Sequence, residues 1–408
     1  MATMRVRAFQ GLRPTPEAAD KVASLPYDVV NTAEARALAE GNPASFLHVV
    51  RAEIDLPDGT DPYSEAVYQQ AKANLERLEA DGHLVRETEP CMYVYQQEWK
   101  GLKQRGICAV CHIEDYLNDV IKKHEKTRQA KEDDRTRLNS TLSAHPGPVF
   151  LTYKDVPAVN AMVEGIVRTE PLNDFTAVDG VRHTVWRIPG GTTFAEAFEG
   201  VPVAYVADGH HRSASAARVG KERRDANPNH TGDEDYNWFL SVLFPASELN
   251  ILPYNRVVKD LNGLSEAEFL SKLGEACDVR ENGLPDPFAP GEASLYIGGK
   301  WYGLKFVVAP KAGPIERLDA YLLQESVLSP ILGIDDPRTS DRVDFIGGIR
   351  GTEELVKLVD SGQAAAAFSM YPVTVEQLMA IADAGEIMPP KSTWFEPKLR
   401  SGLFVHTF

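Results

Sequence analysis

The chain has 408 residues, of which 43% are hydrophobic and 25% are charged, as is usual for a folded globular protein. Its formal net charge of −16 argues against a general nucleic-acid surface, because binding to a phosphate backbone needs a basic field. No long apolar run predicts a membrane span, and the first residues lack the apolar core of a signal peptide. We therefore expect a cytoplasmic protein of two or three domains, with no membrane partner.

The first half of the chain alternates helix and strand signals. The elements predicted there are a helix over 33–40 capped by Thr32, an amphipathic helix over 64–82, and strands over 91–95 and 107–113 paired across the turn at 99–101.

The second of these strands contains a CxxC spacing at Cys108 and Cys111. Zinc would need a second pair of ligands, and Cys91 and Cys277 stand in no CxxC or CxxH pair. We therefore predict buried strand cysteines rather than a metal or redox site.

A densely charged segment follows, with a first polar cluster made of His124, Glu125, Thr127 and Arg128. A helix is predicted over 129–142, and it places Arg128, Lys131 and Arg135 on one face. A carboxylate among cations stays ionised and can accept a proton from a hydroxyl group. On pattern alone, Glu125 is more often a solvated helix charge.

The most specific motif lies between a predicted strand over 203–207 and a predicted helix over 213–218. A helix start offers free N–H groups and a partial positive charge, and glycine lets a ligand approach the backbone closely. This predicts a phosphate cradle, and the residues that would form it are Asp208, Gly209, His210, His211, Arg212 and Ser213.

Two other interpretations of this motif stay open. Asp208 and Gly209 could form only a capped turn, with the histidines as surface donors. A transition-metal site at His210 and His211 is less favoured, because adjacent residues diverge around a helix.

Beyond the motif, the chain carries further mixed elements and a third polar cluster, formed by Lys391, Ser392 and Thr393 beside two prolines. An ordinary loop is the commoner interpretation of that cluster alone. The predicted elements are a mobile loop over 221–235, strands over 239–244 and 365–370, a hairpin over 296–308, and helices over 265–274, 315–328, 352–361 and 374–384.

The three polar clusters complement one another chemically. Phosphoryl transfer needs a positive cradle for the phosphates, usually Mg²⁺, and a base that orients the nucleophile. The chain has no GxxxxGK[ST] or GxGxxG motif after a strand, which disfavours a P-loop or Rossmann site.

The order of the clusters resembles the free-serine kinases, which are built on the ParB/sulfiredoxin-like fold. The segment 206–212 looks like their VDGHHR loop, Glu125 stands where their catalytic Glu follows a His, and 389–393 resembles their SPKTT loop. The chain also resembles a bacterial family of unknown function, whose marks here are 11–14, 25–30, 124–128 and 391–398.

The resemblance has departures. The small kinases lack most of residues 1–110, and the interval from Glu125 to Asp208 is longer here. Sulfiredoxins carry a cysteine where this chain has His210, which removes their sulfinate chemistry. ParB proteins use a related loop in DNA clamps, but this acidic chain has no evident basic helix for DNA.

These observations predict an α+β fold with a ParB/sulfiredoxin-like core. The expected divisions are an N-terminal α+β region over 1–114, the core over 115–235, and a C-terminal α+β region over 236–408. The predicted function is a nucleotide-dependent kinase for a small hydroxyl compound, with free L-serine as first acceptor and ADP or ATP as donor. A homodimer is one option for its assembly.

The predicted roles follow the three clusters. Glu125, Asp208 and His211 would be catalytic, with Asp208 positioning Mg²⁺ or the nucleophile. The residues 209, 210, 212, 213 and 391–393 would bind phosphate. The predicted substrate-binding residues are His124, Thr127, Arg128, Tyr27 and Asp28. The alternatives are a phosphatase or nucleotide hydrolase, and a nucleotide-sensing or ParB-like binding protein without catalysis.

Overall fold

The computed structural model describes residues 3–408, which form two compact units. Unit 1 contains the described residues up to Leu249 together with Pro397–Phe408, and unit 2 contains Asn250–Glu396. Both units combine helices with sheets, so the predicted α+β class is confirmed. The division at 114/115 and 235/236 stays a prediction.

The strands are short or of medium length and occur along the whole chain. The first twelve are β1 (Val6–Arg7), β2 (Leu12–Pro14), β3 (Leu84–Arg86), β4 (Cys91–Trp99), β5 (Leu102–His112), β6 (Ile121–Lys122), β7 (Ala144–His145), β8 (Val149–Tyr153), β9 (Asn173–Thr176), β10 (Arg182–Pro189), β11 (Ala204–Asp208) and β12 (Trp238–Pro245). The others are β13 (Ile251–Leu252), β14 (Tyr254–Val258), β15 (Cys277–Glu281), β16 (Glu292–Ile297), β17 (Lys300–Phe306), β18 (Val343–Gly347), β19 (Ala366–Met370), β20 (Trp394–Phe395) and β21 (His406–Thr407).

The α-helices lie between these strands. They are α1 (Ala19–Val22), α2 (Thr32–Ala39), α3 (Leu47–Val50), α4 (Glu65–Ala80), α5 (Ile113–Leu117), α6 (Gln129–Leu142), α7 (Pro157–Ile166), α8 (Thr192–Phe198), α9 (His210–Ala226), α10 (Glu266–Ala276), α11 (Asp319–Leu323), α12 (Gly351–Asp360) and α13 (Val375–Asp383). No helix of residues 3–408 is long and apolar enough to cross a membrane.

A nine-stranded mixed sheet, counted over the described residues, forms the centre of unit 1. Its order is β6-β11-β8-β12-β5-β4-β10-β9, and β1 pairs with β5. The β6–β11 and β8–β12 pairs are parallel, whereas the others are antiparallel. The apolar side chains of its central strands are buried, and α7, α8 and α9 contribute to the same core. The sheet therefore supplies a rigid base for the loops at its strand ends.

The predicted hairpin over 91–113 is confirmed by the antiparallel pairing of β4 with β5. Lys100 and Gly101 both have positive φ, 49° and 78°, which suits the twist of a tight two-residue turn. Cys108 and Cys111 are fully buried in β5, and burial raises the pKa of both thiols. They are three residues apart in a strand, so they point to opposite faces and cannot share one ligand.

Helix α4 and helix α6 follow the predicted ranges, but three other predictions need correction. The cap of α2 is Asn31, whose side chain accepts from the Glu34 N–H at 2.9 Å, and Thr32 is the first helical residue. The range 315–328 is not one helix, because Leu318 is extended between a 3-10 turn and α11, and a π-helical turn then follows over Gln324–Leu328.

The third correction concerns the predicted mobile loop over 221–235. Helix α9 continues to Ala226, so the first six of these residues are helical. That end of the helix is polar on all sides and carries i,i+4 ion pairs, Arg218 with Glu222 and Lys221 with Asp225. The prediction followed apolar periodicity, which such a helix end does not have.

Unit 2 is built on a six-stranded antiparallel sheet of order β15-β17-β16-β19-β14-β18. The predicted hairpin over 296–308 is confirmed by β16 and β17, which turn at Gly298 and Gly299. Helix α10 and the residues of the π-helical turn pack on its core. A separate two-stranded pair, β13 with β20, holds the loop before residue 397 inside this unit.

Candidate functional site

The site in unit 1 is positioned by two neighbouring parallel strands. β6 pairs with β11 in parallel, Ala204 opposite Ile121 and Tyr205 opposite Lys122. Parallel neighbours end at the same edge of a sheet, so the residues that follow them lie together. Here His124 and Glu125 follow β6, while Gly209 and His210 follow β11. Pairing of the strands thus joins the first and second polar clusters.

Asp208, the last residue of β11, lies between two cations. Its Oδ2 accepts from Arg212 Nη2 at 2.7 Å, and its Oδ1 accepts from Lys398 Nζ at 3.2 Å. Burial alone would raise the pKa of Asp208, but Lys398 and Arg212 outweigh burial and lower this pKa below its ordinary value. Asp208 is therefore ionised and holds both cations in place at the start of α9.

Gly209 makes the turn from the strand into the helix. Its φ of 98° and ψ of 33° lie in the left-handed region, which favours glycine. A Cβ at this position would come within 3.0–3.2 Å of the Arg212 guanidinium. No side chain caps the start of α9 within the described residues, and the first-turn N–H groups have no acceptor inside the helix. These features are those of an anion-binding helix start.

A buried histidine pair lies directly beside this helix start. The rings of His124 and His210 pack edge to face with centroids 4.5 Å apart. Both residues are at most 5% exposed. Burial lowers the pKa of His124 to about 4, although Asp208 and the Val206 backbone act in the opposite direction. Burial, followed by His124, lowers the pKa of His210 well below its ordinary value. Both rings are therefore neutral near pH 7.

Glu125 lies in the loop before α6 rather than on a helix, so it is not a solvated helix charge. Its Oε2 is 3.7 Å from His210 Nδ1, and 54% of its side chain is exposed. A half-exposed carboxylate at this position can meet a ligand at the start of α9 and still reach solvent.

A hydrogen bond to His211, in α9, holds the loop that contains Glu125 against this helix. The Nε2 of His211 accepts from the Arg128 N–H at 3.0 Å, which leaves the ring proton on Nδ1. Burial lowers the pKa of His211, and nearby Asp28 opposes that shift. Thr127 donates to Glu132 Oε2 at 2.9 Å, so its hydroxyl is used inside the loop. These contacts order the loop that carries Glu125.

Tyr27 and Asp28, predicted as substrate-binding, lie near the same helix. The Arg135 guanidinium lies over the Tyr27 ring, 4.0 Å from its centroid. Burial and then Asp28 raise the pKa of Tyr27, whereas Arg135 and Arg212 lower it. Tyr27 is thus close enough to Arg212, and Asp28 to His211, for their charges to interact, and the predicted substrate contacts of Tyr27 and Asp28 stay predictions.

Two of the predicted phosphate ligands, Arg212 and Ser213, donate hydrogen bonds to other groups of the protein. Arg212 Nη1 donates to the Pro148 carbonyl and Nη2 donates to Asp208. Ser213 is fully buried, and its hydroxyl donates to the carbonyl of His210 at 3.0 Å. Ser213 therefore stabilises the first turn of α9 rather than offering a donor to a ligand.

The third cluster belongs to unit 2. The backbone of Lys391 has a φ of 54°. The Lys391 Nζ lies 5.7 Å from the centroid of the Tyr254 ring, and the Lys391 carbonyl accepts from Arg256 Nη2 at 3.1 Å. Ser392 is buried and donates to the Pro389 carbonyl at 2.8 Å. Thr393 follows in the same loop, before β20. The predicted phosphate contacts of these three residues stay predictions.

Two residues of the site in unit 1 lie outside the predicted set, Lys398 and Arg135. Lys398 belongs to a C-terminal segment that returns to unit 1, where Ser401 pairs with Ser24 and Val405 pairs with Leu12. The sequence contains one indication of a role for Lys398, since Pro397-Lys398 repeats the Pro390-Lys391 dipeptide of the third cluster. Arg135 stood on a predicted helix face, but nothing in the pattern indicated that it is buried.

A metal held by protein ligands does not fit this arrangement. Both oxygens of Asp208 are already bound by cations. Within the described part of the chain, no group of three or more His, Cys, Asp or Glu side chains is placed to hold a metal ion. The neighbouring His124 and His210 rings are nearly perpendicular to each other, with an interplanar angle of 87°.

A family model matches residues 6–321. The chain belongs to DUF1015, a protein family of unknown function. This confirms the resemblance to a family of unknown function that the sequence motifs indicated. No curated protein matches the chain.

Several solved structures are similar to this DUF1015 protein. A free serine kinase in complex with AMP is 17% identical with a TM-score of 0.34, covering 71% of this chain and 86% of that one. A mutant of the kinase in complex with ADP is 16% identical with a TM-score of 0.35, covering 71% and 87%. SbnI with a C-terminal truncation, from Staphylococcus aureus, is 11% identical with a TM-score of 0.39, covering 72% and 85%.

Proposed function

We propose that this DUF1015 protein is a nucleotide-dependent phosphotransferase that acts on a small hydroxyl compound. The observation that carries the proposal is the start of α9, where a left-handed Gly209 precedes open first-turn N–H groups. Next to this helix start, Lys398 and Arg212 both form ion pairs with Asp208. Glu125 lies near His210, the first residue of α9. A phosphate cradle and a carboxylate base are the two parts that phosphoryl transfer requires.

Each side chain has a proposed role. Gly209 and the first-turn N–H groups, with His210, would bind the donor phosphates. Asp208 would hold Lys398 and Arg212 so that their charge stabilises the transferred group. Glu125 would accept the hydroxyl proton of the acceptor, and His211 would keep the Glu125 loop against α9 through Arg128. The motif resemblance assigns Lys391, Ser392 and Thr393 to phosphate binding, and this role remains part of the proposal.

The donor and its metal are also part of the proposal. ADP is the first probe, since it is the nucleotide named for one of the similar solved structures, and ATP is the second. Mg²⁺ would enter bound to the nucleotide, because the contacts of Asp208 leave it no preformed protein site. The proposed acceptor is free L-serine. The proposed core is ParB/sulfiredoxin-like, with the pairing of β6 and β11 as its centre.

The test is a transfer assay with ADP or ATP, Mg²⁺ and a panel of hydroxyl compounds that includes L-serine. We expect O-phosphoserine from the wild-type protein and at least a hundredfold lower rate for Glu125→Gln, which keeps the shape and removes the base. Nucleotide affinity, measured by calorimetry, should stay within about threefold in this variant. Glu222→Gln, on the exposed face of α9, is the matched control.

Other outcomes would support a rival function. Release of phosphate without any acceptor would support a phosphatase or nucleotide hydrolase. Nucleotide binding without turnover on any substrate would support a sensing or ParB-like protein. Failure of ADP and ATP to protect the amides of residues 209–212 from hydrogen exchange would contradict the cradle itself.

A further inference from the structure

A small cavity in unit 1 is lined in part by buried polar side chains, and some of their donor atoms have no hydrogen-bond partner within residues 3–408. It has a volume of about 20 Å³, enough for one or two water-sized groups. Its walls include Tyr27, Arg135, Asn139, His145 and Arg212. Tyr27, Arg135, Asn139 and His145 are each at most 9% exposed, so water outside the protein does not solvate them.

Three donors around this cavity form no hydrogen bond within residues 3–408. Arg135 uses Nε and Nη2 on Asp134, which leaves Nη1 for another acceptor. Arg212 Nε is buried without a partner within residues 3–408. No hydrogen bond of the Tyr27 hydroxyl occurs among the described residues. A buried polar atom without a partner costs about 1–3 kcal/mol, and Arg212 Nε and His145 Nε2 are two such atoms among the described residues on the walls of this cavity, which favours a bound ligand.

The electrostatics of the cavity favour a carboxylate. Two guanidinium groups and a phenol present N–H and O–H donors, which suit an anion. Asp134 is committed to Arg135 and to the Tyr68 hydroxyl, so it does not cancel the remaining donor. A planar carboxylate can accept two parallel N–H donors from one guanidinium, which suits the fork of Arg135. His145 Nε2, also without a partner within residues 3–408, lies on the same wall.

The cavity shares Arg212 with the phosphate cradle. The guanidinium that donates to Asp208 through Nη2 also lines the cavity. A molecule held there by its carboxylate therefore lies next to the start of α9. We propose that this cavity binds the carboxylate of the phosphoryl acceptor, which is then a hydroxy acid or hydroxy amino acid. The assignment of this molecule as the phosphoryl acceptor rests on the proposed function, whereas the binding of a carboxylate in the cavity does not.

The experiment compares ligands that differ only in the carboxylate, in the absence of nucleotide. The full-length protein is titrated with 3-hydroxypropionate, D-glycerate or L-serine, and with 1,3-propanediol, glycerol or ethanolamine as matched compounds. We expect the acids to bind at least tenfold more tightly by calorimetry. Tyr27→Phe should weaken the acids about five- to tenfold and leave the alcohols unchanged.

Tyr63→Phe is the matched control, since Tyr63 also has a cation over its ring but is 42% exposed. It should bind the acids like the wild-type protein. Arg135→Lys keeps the charge beside Asp134 and loses the planar fork, so a loss of tenfold or more is expected. Thermal unfolding of each variant reports whether its fold is intact.

Equal affinity of acids and alcohols, or unchanged acid affinity in a folded Tyr27→Phe protein, would overturn the inference. A crystal grown with 3-hydroxypropionate that holds only water in the cavity would overturn it as well. The inference and the function fail separately. Acid binding without phosphoryl transfer to any compound removes the proposed function alone, and equally fast transfer to acids and alcohols removes the inference alone.

Discussion

Two Pro-Lys dipeptides near the end of the chain have different environments. Lys391, in unit 2, is exposed and lies over the Tyr254 ring, and its backbone φ is 54°. Lys398, in unit 1, has a side chain that is 12% exposed and bonded to Asp208. A desolvated cation paired with a carboxylate is held in one position, whereas an exposed lysine pays entropy for every contact. Lys398 therefore has the better-organised charge for a phosphate.

The neighbours of Lys398 also organise it through the backbone. Gln97, in β4, donates to the Lys398 carbonyl at 2.9 Å. Two residues later, Arg400 Nε lies 3.2 Å from His183 Nε2 and its Nη2 bonds Asp179. The His183 ring in turn meets the Tyr95 hydroxyl at 2.8 Å. A chain segment held at several points can present a side chain to a ligand without a further ordering cost.

The strongest test of this comparison replaces each lysine by methionine. Lys398→Met should lower kcat/KM for phosphoryl transfer by a hundredfold or more, because it removes a fixed charge from the cradle. It should also raise the Kd of ADP. Lys391→Met should change both quantities less, because Lys391 is exposed and lies over the Tyr254 ring rather than on a carboxylate.

Steady-state rates and calorimetry separate the two effects. Lys221→Met, an exposed lysine of α9 paired with Asp225, is the control for loss of one positive charge. Full activity and normal ADP affinity in folded Lys398→Met protein would remove Lys398 from the site.

A second test removes the carboxylate that fixes Lys398. Asp208→Asn should lower the free energy of unfolding at pH 7 by about 1–3 kcal/mol, because two cations lose their partner. The pKa of Asp208 is lower in the folded protein than its ordinary value. Its stabilisation is therefore present above about pH 4 and is lost as the pH falls through the folded value.

Urea unfolding of both proteins between pH 7 and pH 2 checks this sign. The wild-type protein should have a higher free energy of unfolding than Asp208→Asn at pH 7, and this difference should decrease as the pH falls below 4. Asp225→Asn, which removes an exposed i,i+4 partner, should change stability by less than about 0.5 kcal/mol. A stability difference that stays constant down to pH 2 would mean that Asp208 does not hold the two cations.

The smallest expected effect concerns the turn that brings Arg212 back to Asp208. Gly209→Ala should cost about 1–2 kcal/mol, because alanine is strained at a φ of 98°. The added Cβ would also displace the Arg212 guanidinium, so ADP affinity should fall about tenfold. Thermal unfolding and calorimetry give the two values.

Gly232→Ala is the matched control, because Gly232 has a φ of 102° and open space around it. It should lose similar stability and keep normal ADP affinity. Equal ADP affinity in both variants would show that the position of Arg212 does not matter for the donor.

The local elements of this fold were largely predictable. The helix over 129–142, the hairpin across residues 99–101 and the strand before Asp208 follow from periodicity and turn residues, which act over a few neighbours. The polar end of α9 and the divided segment 315–328 did not follow, because neither is governed by an apolar repeat. The motif at 208–212 predicted the glycine turn and the helix start, since a glycine before donors at a helix start is a local arrangement.

The tertiary structure decided which distant residues join that cradle. Parallel pairing of β6 with β11 brings Glu125 to His210, and the return of residues 397–408 to unit 1 brings Lys398 to Asp208. Arg135 and Tyr27 are buried in the folded protein, where they line a cavity. Sequence patterns carry local backbone preferences, whereas these contacts depend on strand order and packing between residues that are 85 to 190 positions apart. The same chemistry, a lysine after a proline, therefore acquires its environment only when the chain has folded.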